Sequence, residues 1–147
     1  MTIREAHRED LPQLAELMDA YRVFYGAPSD IEKARVFMHE RIIKQDSVIF
    51  IALIGNLICG FTQLYPSFSS VSLRPLFILN DLFVFPEQRG SGLGEALLLH
   101  TQEFCRNKNA KGLALETAVD NPARKLYERL GWKKDEGVFH YFWTSKG

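Results

Sequence analysis

From Leu76 to Phe85 the chain is almost continuously apolar, and Pro86 closes the run. Three glycines on alternate positions follow, Gly90, Gly92 and Gly94, and an amphipathic stretch then continues through Leu93, Leu97, Leu98, Thr101 and Cys105. A strand, a glycine-rich turn and a helix in that order leave several main-chain N–H groups at a positive helix end. The segment is therefore suited to an anion, and a diphosphate fits it well. Glycines let the backbone approach phosphate oxygens without a β-carbon between them, and Arg89 adds a cation beside them. Two familiar phosphate loops are excluded. The dinucleotide fingerprint needs a third glycine where Leu97 or Glu95 stands, and a Walker loop needs Lys where Gly94-Glu95-Ala96 has none. A tight turn without a ligand is the alternative that the glycines alone leave open.

The rest of the chain supplies a mixed order of elements. Thr2–Ala6 reads as a short strand. Asp10 with Gln13, and again Ser29 with Glu32, give the spacing of a capping box, and each precedes an apolar pattern of helical period. Gly26-Ala27-Pro28 separates the two helices. Ser47–Leu53 and Leu57–Tyr65, joined through Gly55-Asn56, read as a hairpin. Pro66–Pro75, with four serines, reads as a polar surface connection. Leu113–Val119 and Val138–Trp143 are expected as strands. Between them a helix is expected to run to Leu130, with Asn121 as its cap, Pro122 at its first position and Gly131 at its end. Asn80-Asp81 interrupts the otherwise apolar Leu76–Phe85 strand. The order predicts one α/β domain over residues 1–147, with a mixed sheet and helices on its faces.

At 147 residues and 46% hydrophobic content the chain can bury a core. Eighteen basic residues balance eighteen acidic ones, so no charge footprint for nucleic acid or an anionic membrane is present. Cys59 and Cys105 lie in apolar segments and are expected as reduced core thiols. No metal site is expected from His7, His39, His100 or His140. No secretory signal or membrane span is visible, so a soluble cytoplasmic protein is expected.

Arg89-Gly90-Ser91-Gly92-Leu93-Gly94 resembles the R/Q-x-x-G-x-G/A pattern of the Gcn5-related N-acetyltransferase (GNAT) superfamily. Leu79-Asn80-Asp81-Leu82-Phe83-Val84 is similar to the family's preceding strand, and Asn121 through Trp132 to its second coenzyme segment. The strand and the Leu64–Ser70 stretch further resemble the subgroup around the yeast histone and polyamine acetyltransferases and the bacterial diamine-type enzymes. The resemblance implies a splayed mixed sheet with helices on both faces. It implies acetyl-CoA as cosubstrate, with its pyrophosphate on the amides from Gly90 to Glu95 (Arg89, Gly90, Ser91, Gly92, Leu93, Gly94 and Glu95 together) and its pantetheine along Leu82, Phe83 and Val84. It also implies that Tyr127 protonates the departing thiolate, a transfer between groups of comparable basicity. The other reading of Tyr127 is a packed core tyrosine. One departure is that Asp120 stands where the family has Asn, and Asn121 follows one residue later as the candidate coenzyme contact.

The reaction needs a neutral amine, so a carboxylate or a water chain must take a proton. Asp81, Glu116 and Glu87 are the candidates. Asp81 acting through water is preferred, beside the reading of Asp81 as a structural carboxylate. Alternation places Asp81 and Phe83 on one strand face and Asn80 and Leu82 on the other. Tyr25, Tyr65, Asn80 and Glu116 are the expected substrate contacts, aromatic faces being able to hold a cationic amine. The expected activity is direct acetyl transfer to a primary amine of small-amine, polyamine or amino-acid type. A protein-lysine acetyltransferase and a non-catalytic acyl-CoA sensor are the rivals, and a homodimer through the aromatic segment Phe139–Trp143 is expected.

Overall fold

Alternating apolar residues in the first half of the chain leave two faces of a sheet to cover, and two sets of helices cover them. The computed structural model describes residues 1–145. Its chain divides into two compact units, Met1–Glu116 and the residues from Thr117 onward.

The first unit holds a five-stranded sheet in the order β1-β2-β3-β4-β5. The strands are β1 (Thr2–Glu5), β2 (Val48–Ile54), β3 (Leu57–Ser69), β4 (Arg74–Val84) and β5 (Leu113–Ala114). Neighbours from β1 to β4 are antiparallel, and β4 and β5 are parallel. Helices α1 (Leu11–Phe24) and α2 (Ile31–Lys44) bury Leu14, Leu17 and Met38 against Ile49, Ile51, Phe61 and Phe83 on one face. Helix α3 (Leu93–Asn107) covers the other, where Phe104 packs on Phe50 and Phe77 at ring separations of 5.3 and 5.2 Å. The expected mixed sheet with helices on both faces is thus present.

Neither expected capping box forms. Gln13 instead clamps the β2–β3 turn, donating to the Asn56 carbonyl at 3.1 Å and accepting from Ile58 N–H at 2.9 Å. Asp10 accepts from His7 N–H at 2.7 Å and from both Arg4 nitrogens. Asp30, not Ser29, caps α2 by accepting from Lys33 N–H, while the Ser29 hydroxyl donates to Asp19. Gln13 and Ser29 are drawn to partners outside their own helices, whereas Asp10 and Asp30 bond main-chain N–H groups beside them. The Arg4 hydrogen bonds hold the Asp10 carboxyl below its usual range, against the opposing effect of burial. A lowered folded value adds stability above the unfolded carboxylate value of about 3.9, and that stability disappears as pH falls through the folded value. Asp10→Asn should therefore lower the urea midpoint at pH 7 more than at pH 2. Equal losses at both pH values would rule out this linkage.

The expected surface connection Pro66–Pro75 is mostly strand. β3 runs on to Ser69 and β4 begins at Arg74, so only a short turn remains between them. Pairing across the hairpin, Pro66 with Phe77 and Phe68 with Pro75, overrides the polar composition.

Two bulges adjust the sheet. Ala52 pairs with Gly60 but Leu53 with Ile58, leaving Cys59 as the extra residue. Likewise Gln63 pairs with Asp81 but Leu64 with Leu79, leaving Asn80 extra on β4. An inserted residue reverses which face the following side chains take. Phe77 accordingly packs on α3, whereas Phe83 joins the α1–α2 core.

Gly60 sits where β3, β4 and α3 converge. A β-carbon there would lie 2.9 Å from the Phe83 carbonyl oxygen and 3.0 Å from Val84 Cγ2. That carbonyl is part of the paired ladder and cannot retreat alone. Gly60→Ala is expected to cost about 1–3 kcal/mol, read as a lowered urea midpoint; an unchanged midpoint would contradict the close approach.

In the second unit, helix α4 (Arg124–Arg129) is shorter than the expected segment from Pro122. Asn121 still organises the entry, its Oδ1 accepting from Ala123 N–H at 2.9 Å, but the turn through Pro122 and Ala123 precedes the helix. At the other end Gly131 adopts φ 92°, and Trp132 N–H donates to the Tyr127 carbonyl and Gly131 N–H to the Glu128 carbonyl. These two bonds form a Schellman motif, and the accompanying contact is Tyr127 on Trp132 at 5.7 Å. The expected Leu113–Val119 strand stops at Ala114, because the polar Glu116-Thr117 pair breaks the apolar run and an Ala118–Asn121 turn follows. Val138–Trp143 forms no strand, since no ladder partner meets it among the described residues.

Candidate functional site

β4 leads into the glycine loop by way of a sheet edge that opens. β5 pairs with β4 only at Phe77 and Ile78, and β4 continues to Val84. Among the described residues no strand pairs with that edge beyond Ile78. Main-chain groups that point away from β3 there, apart from the Val84 carbonyl that Arg89 bonds, are available to an extended ligand. Leu82, Phe83 and Val84 lie on this stretch.

After the Pro86–Gln88 turn, Gly90 and Gly92 take φ values of 83° and 84°, a region that disfavours side-chain-bearing residues. No atom stands within 4 Å of a β-carbon built at either one, so the conformation rather than crowding calls for glycine. Gly92 is the cap of α3, with Leu93, Gly94 and Glu95 as its first turn. First-turn amides lack an intrahelical carbonyl partner, and the helix dipole makes this end positive. The Ser91 hydroxyl donates to the Gln88 carbonyl and ties the loop to the turn before it.

Arg89 behaves differently from the cation expected over the loop. Its Nε donates to the Val84 carbonyl at 3.0 Å, and its guanidinium lies over the Phe24 and Phe83 rings at 5.2 and 5.3 Å. A weakly hydrated, planar cation gains from both faces and from the carbonyl. Arg89 therefore anchors the loop to the end of β4.

Asp81 is buried on the α1–α2 face of β4, as alternation predicts, and Asn80 on the bulge is exposed. The Asp81 carboxylate accepts from Gln63 Nε2 at 2.9 Å and from Asn80 Nδ2 at 3.1 Å. Gln63 Oε1 in turn accepts from the Ser47 hydroxyl at 2.9 Å. Tyr65 is partly buried; desolvation raises its phenol above the ordinary value, and the Asp81 charge adds to this. Tyr21 donates to the Asn80 carbonyl at 3.4 Å, and the exposed Tyr25 packs edge-on against Tyr21 at 5.0 Å. The structure thus gathers Asp81, Asn80, Tyr65 and Tyr21 around the bulge. Glu116 is not among the strand residues, because β5 ends at Ala114, and its side chain is exposed. Gln63 and Ser47 were not singled out from the sequence. A lone amide inside the apolar strand Ile58–Tyr65 was the available signal.

Tyr127 is buried within the second unit against Trp132. Cys105 is buried on α3, and desolvation pushes its thiol up to about 11, which disfavours a thiolate nucleophile. A concavity of about 610 Å³ lies between Glu5–Glu9 and Arg41–Ile49; Ser47 reaches it, but no predicted site residue lines it. Among the described residues no cluster of three His, Cys, Asp or Glu side chains is placed to hold a metal. None of their helices is long and apolar enough to cross a membrane.

The chain is 44% identical over 142 residues, 96% of this chain and 95% of the other, to the uncharacterized N-acetyltransferase YhfO of Bacillus subtilis. It is 26% identical, over 96% of this chain and 97% of the other, to an aminoglycoside N(6')-acetyltransferase type 1 of Salmonella typhimurium. A crystal structure of a probable acetyltransferase superposes with a TM-score of 0.94 at 39% identity, covering 100% of this chain and 99% of that one. The profile of the Acetyltransferase (GNAT) family matches residues 14–132. The chain belongs to the GNAT family and is an N-acetyltransferase whose acetyl donor is acetyl-CoA.

Proposed function

We propose that residues 1–147 act as one catalytic domain that moves the acetyl group of acetyl-CoA directly to the primary amine of a small cationic molecule. The observation that carries this reading is the open β4 edge running into a left-handed glycine loop and the start of α3. In it, pantetheine lies along Leu82–Val84 and the pyrophosphate on the amides from Gly90 to Glu95. Asn121 is proposed as a further coenzyme contact.

On the acceptor side, a substrate ammonium gives a proton through water to Asp81. The freed lone pair attacks the acetyl carbon and the new C–N bond forms; the nitrogen then gives its second proton to water, which returns a proton to Tyr127 once the C–S bond has broken. A strand N–H near Val84 stabilises the carbonyl oxygen as charge develops on it. The departing thiolate takes its proton from the Tyr127 phenol. Asn80, Tyr65 and Tyr25 contact the amine; Glu116 is retained only as an outer contact. The Asp81 carboxylate and the aromatic rings around it favour a cation.

The likeness to polyamine and diamine acetyltransferases, and the aminoglycoside-modifying relative, set the acceptors to try. Thiol release from acetyl-CoA should be followed with spermidine, putrescine, L-lysine, sisomicin and a lysine peptide. Turnover of at least one free amine above the peptide supports the reading. Labelling of the peptide alone would transfer the assignment to protein lysine. Coenzyme binding without turnover of any acceptor would make the chain an acyl-CoA sensor. The exposed aromatics Phe139, Tyr141 and Trp143 are proposed as a homodimer surface.

A further inference from the structure

We infer that Gln63 is a positioning residue for the acceptor-side carboxylate, and that Ser47 fixes Gln63 in the orientation this needs. The inference rests on the assignment of Asp81 as proton acceptor and goes beyond it.

Gln63 is fully buried at 0% exposure in the middle of β3, directly across from Asp81. A buried primary amide is expensive unless both its ends are paired. Here both are: Nε2 donates to Asp81 at 2.9 Å and Oε1 accepts from Ser47 at 2.9 Å. The orientation of the amide follows from chemistry, because an ionised carboxylate only accepts and must therefore face the NH₂ group. The opposite orientation would set two acceptors against each other. Ser47, whose hydroxyl can donate, holds the remaining end.

The other Asp81 oxygen accepts from Asn80, which the bulge places next to it. One oxygen is thus tied across the sheet and the other along the strand, so rotation of the carboxylate is restrained. A proton acceptor held in one orientation needs no reorganisation as it takes charge from a substrate. Thr62, the preceding residue, is also buried, but its hydroxyl donates to the Asp81 main-chain carbonyl at 2.8 Å and so fixes the strand rather than the carboxylate. Among the described residues, Gln63 is the cross-strand side chain that hydrogen-bonds the carboxylate itself.

Gln63→Met keeps length and removes the donor. With whichever of spermidine, putrescine, L-lysine and sisomicin turns over fastest, kcat should fall by about tenfold or more, as expected when a hydrogen bond to a charged group is lost. Acetyl-CoA affinity should stay near wild type, while the melting temperature should fall by a few degrees because a buried Asp81 oxygen loses its partner. The decisive comparison is the double variant: in an Asp81→Asn background the Gln63→Met loss should vanish, since the carboxylate it positions is gone. An equal loss in both backgrounds, or a matching fall in coenzyme affinity, makes Gln63 merely structural and overturns the inference while Asp81 keeps its role. Wild-type turnover by Asp81→Asn removes the Asp81 assignment and the inference with it. No turnover of any amine by the wild type does the same. Should Gln63→Met not fold, Ser47→Ala tests the same arrangement from the accessible end. A several-fold loss of kcat that depends on Asp81 supports it, and wild-type kcat overturns it.

Discussion

Tyr127→Phe is expected to lower kcat about 100-fold or more, the range for loss of a general acid, with acetyl-CoA affinity almost unchanged. The substitution removes a hydroxyl and leaves the ring. The ring packs on Trp132 at 5.7 Å and completes the hydrophobic contact of the Schellman motif that ends α4. Phenylalanine retains that contact, so the melting temperature should move little. A core tyrosine without a chemical role predicts a different pattern, in which kcat holds and any change is in stability. Steady-state thiol release with the best amine, together with a thermal melt, separates the two. A further check is the leaving group: if Tyr127 protonates it, an acyl donor with a more acidic thiol should suffer less from the loss.

Gly92→Val should weaken acetyl-CoA binding by at least tenfold, measured calorimetrically. At φ 84° a β-branched residue costs roughly 1–3 kcal/mol, and the loop can escape that cost only by rotating the amides at the start of α3 away from their present direction. Strain alone is not the argument, because destabilisation could lower affinity indirectly. Gly55→Val is the control. Gly55 also has positive φ, at 61°, but in the two-residue β2–β3 turn. It should reduce stability comparably and leave coenzyme affinity at the wild-type level. If Gly92→Val binds acetyl-CoA as tightly as wild type, the coenzyme does not rest on these amides.

Much of this molecule was legible in local patterns. The helical spacing of Leu11, Leu14, Leu17 and Met18, the Gly55-Asn56 turn and the apolar Leu76–Phe85 run each became the element expected of them. So did the glycine loop, because left-handed φ and a helix cap are decided within a few residues. Strand alternation placed Asp81 correctly. Capping failed where a distant partner competed: Asp10 bonded Arg4, and Gln13 reached the β2–β3 turn. Serine-rich composition misread the β3–β4 hairpin, whose strands are extended by pairing across the turn.

The sequence by itself determined the glycine loop and the helix start after it, whose conformations depend on covalent sterics and adjacent residues. Only the tertiary structure decided what meets Asp81. A bulge at Asn80 and the register of β3 against β4 bring Gln63 opposite Asp81, residues 18 apart in the chain. That meeting depends on long-range strand pairing, which no local period encodes, and on the need to satisfy every buried polar group once the two strands close.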